Sequence, residues 1–191
     1  WRLEDGVAIR EVGDGFIVFE FFNNKDKEKV LKGRPWYFDI QLILMDDFSG
    51  GDDIQKMNLT CSPFWIRIKG ILFHGRTERV MREIGERIGQ FLEWDRSDPI
   101  HWGPVVRIRV LVDVTQPLMR GLFLSIEEFN AWISFEFEKL LIFCFYCGCI
   151  GHLEKVCDSK KENEQCNIIL QYGPWLRAKT AGLAFISEVE K

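Results

Sequence analysis

The stretch 143-FCFYCGCIGHLEKVC-157 holds four of the chain's six cysteines and one of its three histidines. Cys144, Cys147, His152 and Cys157 fall in the spacing C-x2-C-x4-H-x4-C. Three thiolates and one imidazole suit the tetrahedral preference of Zn²⁺, and four protein ligands close the site to water and substrate. Such a centre is structural rather than catalytic. Gly148 and Gly151 suit the close wrap of the chain around an ion, where positive φ is needed. So short a loop builds no core of its own, and metal binding would supply its folding free energy. Six cysteines is an even number, so a disulfide framework is the competing reading. Cys149 competes as a ligand or stands as a free thiol, and the register completed by His152 favours the free thiol. Cys61 reads as a small buried hydrophobe, and Cys166 has no assigned role.

Upstream, strands alternate with two helices. Phe16–Phe22 is a short apolar run bounded by Gly15 and Asn23-Asn24, the pattern of a buried strand. Asn24 is placed to cap a helix running through Lys32, which Gly33 ends. In 35-PWYFDIQLILM-45, Trp36, Phe38, Ile40, Leu42 and Leu44 alternate as one face of a single strand. The acidic stretch 46-DDFSGGDD-53 reads as a loop. In 63-PFWIRIKGI-71, Phe64, Ile66 and Ile68 point one way and Trp65, Arg67 and Lys69 the other. A helix follows from Thr77 as N-cap to Gly89, with Val80, Met81, Ile84 and Ile88 as its apolar stripe and Glu78–Arg82 and Glu83–Arg87 as i,i+4 pairs. Phe91–Asp95 is a further strand. Val105–Val114 is a long one, with Val106, Ile108, Val110, Val112 and Val114 inward and Arg107, Arg109 and Asp113 outward. Gly121–Ile126 and the run 132-WISFEFEKL-140 form a hairpin leading straight into the cysteine cluster.

This order predicts an α+β fold: an antiparallel sheet with helices on one face, ferredoxin-like or RNA-recognition-motif-like, followed by the small zinc-binding loop. The expected units are residues 1–140, 141–158 and a tail, 159–191. The chain begins at Trp1 rather than Met and reads as part of something longer.

Net charge is −4 over 191 residues, which excludes a protein that coats nucleic acid by bulk electrostatics. Only residues 61–120 carry a cationic excess, from 10 basic and 7 acidic side chains. If the strands carrying Trp65, Arg67, Lys69, Arg107 and Arg109 are neighbours, these residues form a basic sheet face with one aromatic, able to hold single-stranded RNA by stacking and phosphate contacts. Outward strand positions are also charged by default, for solvation alone. No apolar run approaches the roughly 20 residues of a membrane-spanning helix, and no secretory signal opens the chain. His74 and His101 lie in expected loops without a serine or cysteine signature, and no phosphate-binding glycine loop with lysine occurs. The expectation is therefore a non-enzyme, in the nucleus or cytoplasm rather than secreted, with no membrane partner and no small-molecule substrate.

The cysteine motif is that of the zinc knuckle. The wider chain resembles a plant family that pairs an upstream domain of unknown function with such a knuckle and is retrotransposon-derived, of the LINE type. The resemblance is carried by 19-FEFFNNKDKEKVLKGRPWYFD-39, 64-FWIRIKGI-71, 82-REIGERIGQFLEWD-95, 107-RIRVLVDVTQPLMRG-121, the knuckle itself and 171-QYGPWLRA-178. It implies Zn²⁺ on Cys144, Cys147, His152 and Cys157, and binding of single-stranded nucleic acid, RNA or DNA. In such knuckles an aromatic just after the first cysteine stacks on a base, the place held here by Phe145 and Tyr146. Self-association through the upstream domain is a further partner this reading allows. A zinc-stabilised protein-interaction module is the alternative.

Overall fold

The computed structural model describes residues 1–13, 15–48, 57, 59–97, 103–126, 129–161 and 170–179. Its centre is a five-stranded, wholly antiparallel sheet. The strands are β5 (Cys61–Lys69), β6 (Gln90–Trp94), β7 (Val105–Asp113), β8 (Gly121–Ile126) and β9 (Phe129–Phe137), in spatial order β6-β7-β5-β9-β8. β5 and β7 pair along their whole length, from Cys61 opposite Asp113 to Lys69 opposite Val105. Both read near-perfect alternation, and it places Phe64, Ile66, Ile68, Val106, Ile108, Val110 and Val112 on one buried face. Ile133, Phe135 and Phe137 of β9 extend that face.

Helix α2 (Glu78–Ile88) covers it. The Thr77 hydroxyl accepts from the Val80 N–H, capping the first turn as expected, and Met81 and Ile84 are buried. Gly85 lets the helix close on Phe91, since a Cβ there would come 2.6 Å from the ring. The expected Glu78–Arg82 pair is loose, at 3.9 Å; Glu78 instead holds Arg96 at 2.5 Å, and Arg79 pairs with Glu83 at 3.0 Å.

Residues 1–48 build a separate layer. β1 (Val7–Gly13) and β2 (Phe16–Phe21) form a two-stranded hairpin, followed by helix α1 (Asn24–Lys32) and a second hairpin of β3 (Trp36–Phe38) and β4 (Gln41–Ile43). Three expectations are corrected here. β2 is not a buried strand, because its hairpin lies outside the main sheet and Ile17 and Phe22 are exposed. Asn23, not Asn24, caps α1: its side chain accepts from the Asp26 N–H at 2.7 Å. The run Trp36–Leu44 is not one strand. It reverses at Asp39 and Ile40, with φ of 44° and 64°, the positive values a two-residue hairpin turn requires. The apolar spacing runs on in the sequence and conceals the turn, but the turn inverts the faces, so that Leu42 lies opposite Tyr37 and Ile43 opposite Trp36; a β-branched Ile is an unusual occupant of the positive-φ conformation.

The expected single sheet with both helices on one face is also corrected. Among the described residues the strands form three sheets, and α1 ends over the face opposite α2. Two hydrogen bonds place it there: Arg109 Nη2 donates to the Lys32 carbonyl at 2.6 Å and Lys139 Nζ to the Gly33 carbonyl at 2.9 Å. Cations of the outer sheet face thus cap the C-terminal end of α1, where carbonyls lack intrahelical partners. The α+β class and the antiparallel sheet stand; among the described residues the β8 strand, rather than a second helix, lies between β7 and β9 in the chain. No helix among the described residues is long and apolar enough to cross a membrane.

The N-terminal segment is tied to α1 by Asp26, which is buried. Its carboxylate accepts from the Glu4 and Asp5 N–H groups and from the Asn23 amide, at 2.9–3.1 Å. Burial acts to raise its pKa, but these hydrogen bonds and Lys29 outweigh it and hold the group below its ordinary value. A depressed aspartate contributes stability that is fully present above the ordinary value of 3.8 and is lost as pH falls through the lower folded value. Asp26→Asn should therefore lower stability at neutral pH and weaken its dependence on acid, as measured by thermal melts across a pH series.

Candidate metal centre and nucleic-acid interface

Cys144, Cys147, His152 and Cys157 converge, their ligand atoms all within 4.8 Å of one another. Cys147 Sγ lies 3.4 Å from His152 Nε2. The backbone explains the convergence. Phe143 bridges Ile150, the Cys144 N–H donates to the Cys149 carbonyl at 2.9 Å, and the Gly151 N–H donates to the Ile142 carbonyl at 3.0 Å. Between them the Gly148 N–H returns to the Cys144 carbonyl, and the Cys147 N–H points at Cys144 Sγ at 3.5 Å. The chain folds back on itself and presents Cys144 and Cys147 together. Gly148 and Gly151 take φ of 79° and 97°, as the wrap requires. A 3-10 turn at Glu154–Val156 then delivers Cys157.

The donor set fits Zn²⁺. Without a cation, burial pushes the Cys144 thiol up to about 12 and raises Cys147 as well. Crowded, buried thiols are poor anions on their own, whereas a divalent ion holds them as thiolates. None of these cysteines is in a disulfide. Cys149 stands outside the set, its Sγ directed at the Thr115 carbonyl at 3.8 Å. Cys61 is half-exposed at the start of β5 rather than buried, and Cys166 and His101 lie outside the described residues.

The knuckle is seated on the sheet rather than hung from it. Phe143, one residue before the first ligand, is buried in the same core cluster as Phe64, Phe137 and Leu140. The Leu118 N–H donates to the Gly148 carbonyl at 3.0 Å. Part of the expected tail closes the arrangement. A 3-10 turn at Pro174–Leu176 buries Leu176, and the Ala178 N–H donates to the Phe137 carbonyl at 3.0 Å. Arg177 donates to the Leu141 carbonyl at 2.6 Å and lies over the Phe143 and Phe145 rings. The Tyr172 ring covers Gly148 so closely that a Cβ there would run into it.

The two candidate stacking rings therefore differ. Phe145 packs edge-to-face on Phe143, at 5.0 Å, and against the core. Tyr146 is half-buried and makes no such packing among the described residues. Sequence reasoning treated them alike because the core partners of Phe145 come from Phe143 and from Arg177, thirty-two residues on.

Trp65, Arg67, Lys69, Arg107 and Arg109 are brought together: Trp65 pairs with Arg109 and Arg67 with Arg107 across β5 and β7. They are not left as a free basic face. Arg107 holds Glu138 with two nitrogens, at 3.0 and 2.7 Å, and Asp95 at 2.8 Å. Arg67 shares Glu138, Lys69 pairs with Glu136, and Arg109, only 8% exposed, pairs with Glu93 and the end of α1. Trp65 lies beneath Arg107, whose guanidinium is 4.0 Å from the ring centroid. Four carboxylates thus answer four cations: Glu93 and Asp95 come from β6 and the residue after it, Glu136 and Glu138 from β9 and the residue after it. Alternation within one strand does not reveal partners on its neighbours.

Residues 1–53 match the family model described as a domain of unknown function (DUF4283), and residues 112–159 match a zinc knuckle model, zf-CCHC_4. The chain thus carries a DUF4283 domain and a CCHC-type zinc knuckle. The knuckle match starts in β7 and takes in the whole β8–β9 hairpin, in keeping with the seating of the metal loop on those strands. No curated protein and no solved structure matches the chain.

Two outcomes follow from this geometry. Cys144→Ser should abolish stoichiometric zinc binding while Cys149→Ser retains one equivalent, as measured by atomic absorption on desalted protein. Arg109→Met should lower stability by about 1–3 kcal/mol by stripping the carbonyl end of α1 of its donor, read from urea midpoints.

Proposed function

We propose that this protein is a non-catalytic, zinc-dependent binder of single-stranded nucleic acid, derived from a retroelement of the LINE type and acting in the nucleus or cytoplasm. The observation that carries the reading is the four-ligand Cys/His cluster within a CCHC knuckle match; knuckles of this class commonly bind nucleic acid. Zn²⁺ on Cys144, Cys147, His152 and Cys157 would fix the loop and hold Tyr146 at its surface. Tyr146 then offers a ring to an unstacked base, a contact that tolerates any base.

Phosphate attraction is a small part of the interaction. Three thiolates and one divalent ion sum to a single negative charge, Lys160 is held by Glu154 at 2.5 Å, and the cations of the sheet face are paired. Affinity should fall only gently with salt, because few counterions are released. The same neutrality supports the second reading, a protein-docking module, which predicts no oligonucleotide binding at any salt.

The test is fluorescence anisotropy of a labelled single-stranded oligonucleotide with zinc-loaded protein. Tyr146→Ala should weaken binding by about 1–3 kcal/mol, roughly 5- to 150-fold in Kd, with zinc content unchanged. The triple change of Cys144, Cys147 and Cys157 to Ser should remove metal and binding together. Binding that survives loss of the metal would overturn the assignment to the knuckle.

A further inference from the structure

The outer face of the main sheet is unevenly covered. Around Arg109 the end of α1 lies over it. At the far side, β8 is an edge strand, pairing only with β9 among the described residues. There Phe123 is 73% exposed and Trp132, directly opposite it on β9, is 45% exposed. Their rings meet edge-to-face at 5.1 Å. The indole lies over Gly121, where a Cβ would come 2.7 Å from it.

The open edge of β8 has a defined set of free groups. The Phe135 N–H donates to the Arg120 carbonyl at 2.9 Å. Arg120 therefore turns its backbone toward β9, and by the antiparallel alternation so do Leu122, Leu124 and Ile126. Gly121, Phe123 and Ser125 turn their N–H and C=O groups outward. Edge strands of this kind are ordinarily blunted by charge, proline or a bulge. The opposite edge of the sheet shows two of these devices, since β6 carries Glu93 and its register shifts between Phe91 and Glu93. β8, with the sequence GLFLSI, has no charge and no proline, and its pairing to β9 is regular.

We propose that the edge of β8 pairs with β8 of a second copy of this chain, joining two sheets into one ten-stranded antiparallel sheet about a twofold axis through Phe123. That register uses every outward group. Phe123 faces Phe123 of the second copy, and Gly121 faces Ser125 in both directions. Residues directly opposite in such a pair share a face. The two phenylalanines therefore meet on the outer face, flanked by the two Trp132 indoles, and a row of four rings closes over the junction. Leu122 meets Leu124 on the inner face. A strand without charge meets its own copy with no like-charge repulsion, and its outward groups at Gly121, Phe123 and Ser125 are self-complementary in this register, which makes a second copy the occupant. The contact is isologous and closes at two chains. It is independent of the knuckle and of the nucleic-acid reading.

The experiment is sedimentation equilibrium of the zinc-loaded chain, with Phe123→Lys as the test variant and Phe38→Lys, an equally exposed ring on the β3–β4 hairpin, as control. Circular dichroism and zinc content verify that each variant folds, and Ser125→Lys provides a second charge on the same edge should Phe123→Lys fail to fold. The expected result is a monomer–dimer equilibrium for the parent and the control, and a shift to monomer of at least about tenfold in Kd for the edge variants, equivalent to about 1.4 kcal/mol. A parent that stays monomeric at about 1 mM, where even a millimolar association shows, overturns the proposal. So does a dimer unaffected by a lysine at the edge, or one lost equally in the control.

Discussion

The burial of Phe143 links the two halves of this protein. Its ring lies in the sheet core, and the next residue is the first of the four metal ligands. A zinc loop by itself has too little apolar surface to fix its orientation against anything. Here the core fixes it, through Phe143 and Leu140 from one side and Leu176 from the other. A bound Zn²⁺ would organise the loop, and hydrophobic burial orients it.

That seating divides the aromatic residues of the knuckle into two roles. Phe145 is drawn under Arg177 and against Phe143, while Tyr146 stays out of the core. It also gives the segment Tyr172–Ala178 a structural purpose, as a strap that covers Gly148 with an aromatic ring and adds a backbone bond to β9. The N-terminal layer is held by polar contacts of a different kind. Asp26 ties the first residues to α1, and Arg109 and Lys139 tie the end of α1 to the sheet. Charge on the outer sheet face is thus spent on internal docking and pairing.

The neutral balance of that face bears on how such a chain would meet a polyanion. With the cations of β5 and β7 each facing a carboxylate, the nucleic-acid binding proposed above would rest on ring stacking and on the shape of the knuckle. The exposed aromatics at β8 and β9 stand apart from this ion-paired lattice, at an edge whose backbone groups lack partners among the described residues.

The sequence by itself determined the local features. The ligand spacing of Cys144, Cys147, His152 and Cys157, the inward faces of β5 and β7, the cap at Thr77 and the β8–β9 hairpin were all legible, because each depends on residues close together in the chain. What lay outside local pattern was decided by tertiary structure. Period-two alternation ran unbroken through the Asp39-Ile40 turn and hid a hairpin. Outward arginines looked free until Asp95 and Glu138, 12 and 31 residues from Arg107, came to face them. Both outcomes have one physical reason: a strand's own sequence specifies which side of it faces the core, but the groups that meet its other side are set by which strands and helix ends come to lie next to it.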